Sequence, residues 1–562
     1  MKKCLWVLCF LCSGTAFGLD RNAFTFANYD LTIRLEPEQQ RLGVRGKITL
    51  RNDSPAPQKN LSLQVSSSLN WRSIQADGRS LQFVSQPYTS DIDHTGALSE
   101  AIVSLGKEVA PRATVELEIG YEGIIALDAT RLTRMGVPME VAGHTDWDQI
   151  SNASTAVRGV GYVVWYPVAI EAASLSEGNT VFDAVQRWKV RSGMSKMRVD
   201  LCPYFSHENS QTTLMNDSSA KNPKATECGE HTFNPIGFTV PTFASAEYSV
   251  AQGESGNTYF LSNNKTAADI YQSASDRVAP FVTGWFGAPK TKVQVAELAD
   301  PKAAPFESGN MLLTPLNFPA PAAESTAVHQ LTHVAMPSPR PWIYEGLAHF
   351  AQALYAERSG SRQAALEFMN SYRPQIVERE KAIAADHDPN AAADQSLINT
   401  SSEEFYRSKA MYVWWMLRDM LGDPTVKAVL AAYREDQDKE TSYVQHLFAA
   451  QSKRDLEWFF DDWVYRDRGL PDFRVVSVYP RQTMRETYLV TVTVENLGEV
   501  AAEVPVMAPY QGVETTERIE IKAKSKNSVR LQMQAAPTEA TVNDGSVPET
   551  DFTNDTLKIQ PN

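Results

Sequence analysis

The sequence predicts a multidomain α+β protein in which an amino-terminal antiparallel β domain and a carboxy-terminal β-sandwich flank a mainly helical central domain. The chain has 562 residues, which is too long for a single hydrophobic core. Its hydrophobic fraction of 43% and charged fraction of 21% are ordinary for folded protein. The apolar pattern changes from a period of two to a helical period and back again. We expect a signal peptide at residues 1–18 and domains at residues 19–245, 246–470 and 471–562.

The first eighteen residues have the parts of a secretory signal. Lys2 and Lys3 form a basic start, residues 5–12 are apolar, and the small residues at 16–18 precede a cleavage point before Leu19. After Gly18 no apolar run approaches the ~18–20 residues that a membrane-spanning helix needs. We therefore expect an exported protein, periplasmic or extracellular, without a transmembrane anchor once the signal is removed.

The amino-terminal domain is predicted from alternation of apolar and polar residues. The pattern is present at residues 29–35, 42–50 and 115–121, with turn-forming residues between the segments. A period of two with intervening turns is typical of antiparallel sheets. Two cysteines, Cys202 and Cys228, remain after the signal, and export to an oxidising compartment favours a disulfide between them.

Helical spacing begins near residue 267. It is clear at residues 267–285, 324–336 and 343–357, and Pro341 suits the first turn of a helix. Helices continue to Trp463, and Gly469-Leu470-Pro471 then marks a break. Alternation returns at residues 488–494 and 529–533, which predicts a β-sandwich of roughly Ig-like size.

The net charge restricts the possible partners. A formal charge of −14 disfavours nucleic acid and anionic membrane surfaces. The sequence leaves the oligomeric state open.

Two histidines on one helix predict a metal site. His329 and His333 are four residues apart, so on a helix both side chains face the same way. Two imidazoles so placed suit one tetrahedral Zn²⁺ with Zn–N distances of ~2.0–2.1 Å. Glu345, twelve residues after His333, offers a third ligand and leaves the fourth position to water, which is the layout of a catalytic zinc site. The competing interpretation is a pair of hydrogen-bonded helix histidines and a Glu favoured by a helix dipole.

The residue after His329 is Gln330. In a His-Glu-x-x-His motif this second residue is the general base that acts on the zinc-bound water. A carboxamide has no basic lone pair near neutral pH. The predicted centre therefore has its three ligands but lacks the usual base.

These residues resemble the gluzincin zinc metallopeptidases, in particular the aminopeptidase N-like (membrane alanyl aminopeptidase) family. That family carries His-Glu-x-x-His followed by a Trp-x-x-Glu-Gly-apolar-Ala segment, and Trp342-Ile343-Tyr344-Glu345-Gly346-Leu347-Ala348 is similar to the second segment. The resemblance implies a thermolysin-like, mainly α catalytic domain at residues 246–470, Zn²⁺ as cofactor, and a peptide or protein as substrate. The spacing between His333 and Glu345 is shorter than is usual in the aminopeptidases.

Two further segments extend the resemblance. Phe405-Tyr406-Arg407-Ser408-Lys409-Ala410 resembles the family's Tyr-x-Lys-Gly segment, which implies that Tyr406 stabilises an oxyanion. Residues 306–313 resemble the family's Gly-x-Met-Glu-Asn substrate strand only faintly, which implies substrate contacts for Gly309 and Asn310. Gly309 stands where the family has the Glu that binds a free amino terminus, so aminopeptidase specificity does not follow.

Three functional interpretations remain from the sequence. The first is an exported zinc-dependent metallopeptidase, aminopeptidase-like, whose catalysis is impaired because Gln330 replaces the base. The second is an inactive pseudopeptidase that keeps zinc and cleft as a peptide- or protein-binding module. The third, a deliberate replacement of Glu by Gln, is less favoured because the export signal is still present. The sequence does not distinguish exopeptidase from endopeptidase action and does not name the substrate.

Overall fold

The computed structural model describes residues 19–88, 98–134, 136–171, 180–204, 211–216, 228–385, 395–484, 487–510 and 513–559. The predicted signal peptide at residues 1–18 lies outside the described residues. Within them, no helix is both long enough and apolar enough to cross a membrane.

The described chain is a multidomain mixed α/β structure with strands at both ends and helices concentrated in the middle. Its strands are β1 Phe24–Glu36, β2 Arg41–Asn52, β3 Gln58–Ser66, β4 Leu69–Ala76, β5 Arg79–Ser80, β6 Gln82–Tyr88, β7 Leu98–Val109, β8 Thr114–Ile124, β9 Ser154–Val157, β10 Lys196–Pro203, β11 Thr212–Met215, β12 Gly229–Phe233, β13 Phe243–Ala246, β14 Ser249–Gln252, β15 Gly256–Phe260, β16 Val293–Glu297, β17 Phe306–Ser308, β18 Met311–Thr314, β19 Phe473–Gln482, β20 Tyr488–Asn496, β21 Ala502–Tyr510, β22 Val513–Ile521, β23 Ser525–Met533, β24 Glu539–Val542 and β25 Thr556–Lys558. Its helices are α1 Thr130–Arg134, α2 Met139–Thr145, α3 Thr180–Ser192, α4 Lys265–Phe286, α5 Ala320–Ala335, α6 Pro341–Ser359, α7 Arg362–Asn370, α8 Arg373–Ala385, α9 Ala410–Leu421, α10 Asp423–Ala432, α11 Tyr443–Gln451 and α12 Glu457–Phe460, with a π-helical segment at Glu404–Lys409.

The amino-terminal half is built on a seven-stranded sheet of order β12-β10-β1-β2-β8-β4-β5. The alternating residues of β1, such as Leu31 and Ile33, point into a fully buried core. Two smaller sheets, β3-β7-β6 and β11-β13-β9, complete this half. The sheet differs from the predicted antiparallel arrangement at one pair, because β10 runs parallel to β1. Parallel neighbours need a crossover connection, and helix α3 lies in the connection that leads into β10.

The central part combines a five-stranded sheet of order β14-β15-β16-β18-β17 with the helices from α4 onward. Strands β15, β16 and β18 are parallel, and β14 and β17 form antiparallel edges. Helix α4 packs against α5, α5 against α6, and α6 against α9. The contact between α6 and α9 is close at Gly346, where a Cβ atom would lie 2.7 Å from the Cβ of Ala410. This glycine therefore allows the helix that carries Glu345 to approach α9.

The carboxy-terminal part consists of two sheets, β19-β20-β23 and β22-β21-β24-β25. Val490, Val492 and Val494 of β20 alternate into the interior and are fully buried. They belong to the same continuous hydrophobic cluster as the central helices. The domain boundaries given by the sequence pattern stay a prediction.

A disulfide joins Cys202 near the end of β10 to Cys228 just before β12. The two strands are antiparallel neighbours, and Leu201 is paired with Gly229 in their register. The bond therefore connects adjacent strands across a sequence separation of 26 residues.

We predict that this cross-link stabilises the mature protein. Replacing both Cys202 and Cys228 by Ala removes a constraint on the unfolded chain, and a loop of this length predicts a loss of about 2–4 kcal/mol in the free energy of unfolding. Urea denaturation of the double variant beside the oxidised native protein measures this loss. Two titratable thiols in the denatured, unreduced mature protein would contradict the cross-link.

Candidate metal centre

Helices α5 and α6 provide the three predicted metal ligands. His329 and His333 lie one turn apart on α5, and Glu345 lies in the first turns of α6. Helix α6 begins at Pro341, whose fixed φ and missing N–H suit the first turn. Because α5 packs against α6, the imidazole pair faces the carboxylate.

The donor atoms of these residues converge on one point. The Nε2 atoms of His329 and His333 are 3.0 Å apart. The carboxylate oxygens of Glu345 lie 3.8 Å from Nε2 of His329 and 3.7 Å from Nε2 of His333. Around a tetrahedral zinc ion with bonds of ~2.0–2.1 Å, neighbouring donors are ~3.3–3.4 Å apart. The carboxylate approaches the two imidazoles with different oxygens, Oε2 toward His329 and Oε1 toward His333, and the spacings of 3.0 Å, 3.7 Å and 3.8 Å lie on either side of the tetrahedral value. The three side chains therefore have the donor chemistry of a zinc site and lie near the spacing that it requires.

The protonation states of the three side chains also suit a metal. Burial lowers the pKa of His333 to about 3 and lowers the pKa of His329 below its ordinary value. Burial acts to raise the pKa of Glu345, but the Arg407 guanidinium and the imidazoles outweigh it and lower that pKa to about 2. Metals bind neutral imidazole and ionised carboxylate, which are the forms present here near neutral pH.

An outer layer of contacts orients the imidazoles. Nδ1 of His329 lies 3.3 Å from Oε1 of Gln352, whose Nε2 donates to the carbonyl of Ser325. With the amide fixed in this way, Nδ1 of His329 is the donor and Nε2 keeps its lone pair free. His333 stacks on the ring of Tyr344 at a centroid distance of 3.8 Å. Its Nδ1 is buried and has no hydrogen-bond partner among the described residues.

The structure directs Gln330 away from this point. Its side chain is fully buried, and its Oε1 accepts a hydrogen bond of 2.8 Å from the hydroxyl of Tyr271 on α4. Its Nε2 lies 3.5 Å from the carbonyl oxygen of Gln294 on β16. Gln330 is not among the described residues that line the cavity at the histidines. Both ends of the carboxamide are thus engaged with the interior of the domain.

A cavity of about 720 Å³ opens at the three ligands. Tyr406 lies on its wall, and the Tyr406 hydroxyl donates a long hydrogen bond of 3.3 Å to Oε1 of Glu403. Burial, followed by the charge of Glu403, raises the pKa of Tyr406 well above its ordinary value. The phenol therefore stays protonated and can act as a donor within the cavity.

Two cations of the cavity were not found from the sequence. Arg407 lies 3.4 Å from a carboxylate oxygen of Glu345 and 3.5 Å from Glu403. Lys189 reaches the cavity from α3, where burial lowers its pKa to about 8 and its ammonium lies 5.0 Å from the ring centre of Phe238. The position of Arg407 beside Tyr406 was a usable sequence signal. Lys189 had none, because it lies 140 residues before His329 in a different part of the fold.

Gly309 and Asn310 are placed beside the centre rather than on its main cavity. Gly309 forms the turn between β17 and β18 with φ of +61°, and its N–H donates to the hydroxyl of Tyr344 at 3.1 Å. Asn310 is buried and donates to the carbonyl of Lys292 at 3.2 Å. Both residues line a smaller cavity of about 120 Å³ that also touches His333. Their predicted contact with substrate stays a prediction.

His349 follows Glu345 by one helical turn and faces the same centre. The donor atoms of His329, Glu345 and His349 lie within 4.8 Å of one another. Nδ1 of His349 is buried and has no hydrogen-bond partner within the described part of the chain. His349 is not among the described residues that line the cavity of about 720 Å³.

No protein-family model matches the chain, and comparison with curated proteins gives no match. Among solved structures the chain is similar to an M1 zinc metallopeptidase from Deinococcus radiodurans, with 14% identity, a TM-score of 0.47, and 77% of this chain and 92% of that chain covered. A mutant of a two-domain M1 zinc metallopeptidase bound to L-tryptophan gives 14% identity, a TM-score of 0.48, and coverage of 81% and 97%. The case for a function therefore depends on the residues of the centre itself.

We predict that the mature protein binds about one equivalent of zinc at this centre. His333→Ala removes a donor atom, so its zinc affinity should fall by more than the ~10–100-fold that loss of an outer-layer partner costs. His446 is an exposed histidine on α11, and the His446→Ala variant serves as the matched control, which should bind zinc like the native protein. Competition with a chelator of known affinity measures the zinc affinity of the native protein and of both variants. Equal affinity in His333→Ala would refute the centre.

We also predict that the metal-free protein loses stability in mild acid. The folded pKa of His333 is about 3, whereas an unfolded histidine titrates near ~6.5. Because the unfolded chain therefore binds the proton first, the stabilising contribution is complete above pH ~6.5 and is lost as the pH falls from 6.5 toward 3. The urea midpoint of chelator-treated protein should drop between pH 7 and pH 5, and His333→Gln should drop less. An equal drop in both proteins would show that this histidine is not held neutral.

Proposed function

We propose that this chain is an exported, zinc-dependent protein of the metallopeptidase type that binds a peptide in its central cavity and hydrolyses it. The observation that carries the proposal is the convergence of His329, His333 and Glu345 on the wall of a cavity of about 720 Å³. A cavity of this size lies within the range of ligand-binding sites and accommodates a short peptide segment. Export is inferred from residues 1–18.

Each side chain has a defined task in this proposal. His329 and His333 offer lone pairs, and Glu345 offers charge that Arg407 holds in place at 3.4 Å. Zinc, when bound there, polarises a carbonyl and lowers the pKa of water toward ~7. The Tyr406 phenol is available to donate to a developing oxyanion, because its present bond to Glu403 is long.

The lining of the cavity suits a peptide backbone with polar and apolar side chains. Arg407 and Lys189 bring positive charge, and Phe238 and Phe306 bring apolar surface. Arg407 is already paired with Glu345 and Glu403, whereas Lys189 can pair with a carboxylate of a bound peptide. The substrate class we propose is therefore a peptide or an extended protein segment.

A second candidate is peptide binding without hydrolysis, and the position of Gln330 favours it. The carboxamide is bonded to Tyr271 and faces the carbonyl of Gln294, so no base is delivered to the cavity from this position. Loss of a general base typically costs ~10²–10⁴-fold in rate. The two candidates differ in whether the chemistry survives that loss.

Peptide hydrolysis by the native chain beside its Gln330→Glu variant tests the proposal. We expect the variant to be at least ~10²-fold faster, because the new carboxylate is repelled by the carbonyl of Gln294 and turns toward the cavity, where it supplies the missing base. If the new carboxylate instead keeps the bond from Tyr271, it stays in the interior beside the carbonyl of Gln294, so the unfolding midpoint and zinc content are measured with the rates.

Tyr406→Phe in the Gln330→Glu background should then reduce kcat by about 10²–10³-fold, since the oxyanion loses a donor. Tyr479 is an exposed tyrosine of the carboxy-terminal sheet, and Tyr479→Phe in the same background is the matched control for loss of a phenol hydroxyl. If neither the native chain nor Gln330→Glu hydrolyses a broad peptide library while zinc is bound, and peptide binding depends on zinc, the second candidate is the function. A native rate equal to that of Gln330→Glu would show that the base is elsewhere.

A further inference from the structure

A second carboxylate reaches the histidine pair from a different element. Glu307 lies on the short edge strand β17, and its Oε2 is 3.9 Å from Nε2 of His329. The donor atoms of Glu307, His329 and His333 all lie within 4.8 Å of one another. Nε2 of His329 is therefore approached by Glu307 as closely as by Glu345, at 3.9 Å and 3.8 Å.

The carboxylate of Glu307 lacks the compensation that the other acids of the cavity have. Its Oε1 is buried and has no hydrogen-bond partner in the described part of the chain, and its side chain is only 18% exposed. By contrast, Glu345 is paired with Arg407, and Glu403 accepts from Tyr406. Burial, followed by the charge of Glu345, raises the pKa of Glu307 well above its ordinary value, so its ionised form needs a nearby positive charge. A metal ion at the histidines, 3.9 Å away, would supply that charge.

The backbone that follows Glu307 is held in place. The hydroxyl of Ser308 accepts from the N–H of Val240 at 2.6 Å, and the carbonyl of Ser308 accepts from Asn216 at 3.0 Å. The next N–H, that of Gly309, donates to the hydroxyl of Tyr344, which itself stacks on His333. These contacts hold the backbone that carries Glu307 against the centre, in part through Tyr344 of helix α6.

We propose that Glu307 is a fourth side-chain ligand of the metal in the resting protein, beside His329, His333 and Glu345. The inference rests on the proposed function in one respect, since it requires a metal at the two histidines. Four protein ligands fill a tetrahedral zinc ion, which is the arrangement of closed sites, whereas catalytic sites leave one position to water. With Glu307 among the residues that would hold the metal, water or a peptide carbonyl would have to displace it or occupy a fifth position, which favours the second candidate function over rapid hydrolysis.

The test compares Glu307→Gln with Glu404→Gln. Glu404 also lines the cavity, and its carboxylate accepts from Ser402, so its replacement makes the same charge change without touching the histidines. We expect Glu307→Gln to weaken zinc binding, measured by chelator competition, by more than the ~10–100-fold typical of an outer-layer residue. The visible absorption of the Co²⁺-substituted protein should change in position and intensity in Glu307→Gln because a ligand is exchanged. Glu404→Gln should match the native protein in both measurements.

His333→Ala separates failure of this inference from failure of the centre. If His333→Ala loses zinc while Glu307→Gln keeps native affinity and a native Co²⁺ spectrum, the inference is overturned and the centre stands. If His333→Ala binds zinc like the native chain, the proposed function fails first. Glu307→Asp is the second variant in case Glu307→Gln does not fold. It shortens the side chain by one methylene group, and native affinity in Glu307→Asp would overturn the inference as well.

Discussion

The packing of α6 between α5 and α9 is the contact on which the whole centre depends. It sets the carboxylate of Glu345 against the imidazoles of α5, and it brings the Tyr406–Arg407 segment that precedes α9 to the same cavity. Two features hold it: the close approach at Gly346, where a side chain would collide with Ala410, and the stacking of Trp342 on Trp414 at 5.4 Å. Large aromatic side chains supply most of the buried area at such a contact, so the geometry of the ligands is an outcome of core packing.

Charge balance then explains the choice of residues around the cavity. Glu345 is buried and Glu307 is partly buried beside neutral imidazoles, and of the cations in the described part of the chain Arg407 lies within ion-pair distance of Glu345 but not of Glu307. Lys189 adds a second positive charge from the amino-terminal half of the fold. Buried charges are tolerated when they are paired or bind metal, so a divalent cation at the histidines would balance the remaining carboxylate. This is why the electrostatics of the site favour a metal more strongly than the helix spacing alone.

The sequence predicted the features that depend on short-range spacing. The helical positions of His329 and His333, the strands at residues 29–35 and 488–494, and the pairing of Cys202 with Cys228 all follow from local periodicity or from a count of two cysteines. What it did not predict depends on contacts between distant segments. The parallel pairing of β10 with β1 requires knowledge of the crossover, and the approach of Lys189 or Glu307 to the histidines requires the assembled cavity. The direction of the Gln330 side chain was also out of reach, because its partners Tyr271 and Gln294 lie on other elements.

The side chain of Gln330 stabilises the fold but does not supply a catalytic base. Between the hydroxyl of Tyr271 and the carbonyl of Gln294, a carboxamide satisfies a donor on one side and an acceptor on the other. A carboxylate accepts only, so it would leave the carbonyl of Gln294 facing a negative charge in a fully buried setting. Glutamine is therefore the more stabilising residue in this position. Active sites commonly sacrifice stability for activity. Here the balance lies on the side of stability, which agrees with the second candidate function, peptide binding without hydrolysis.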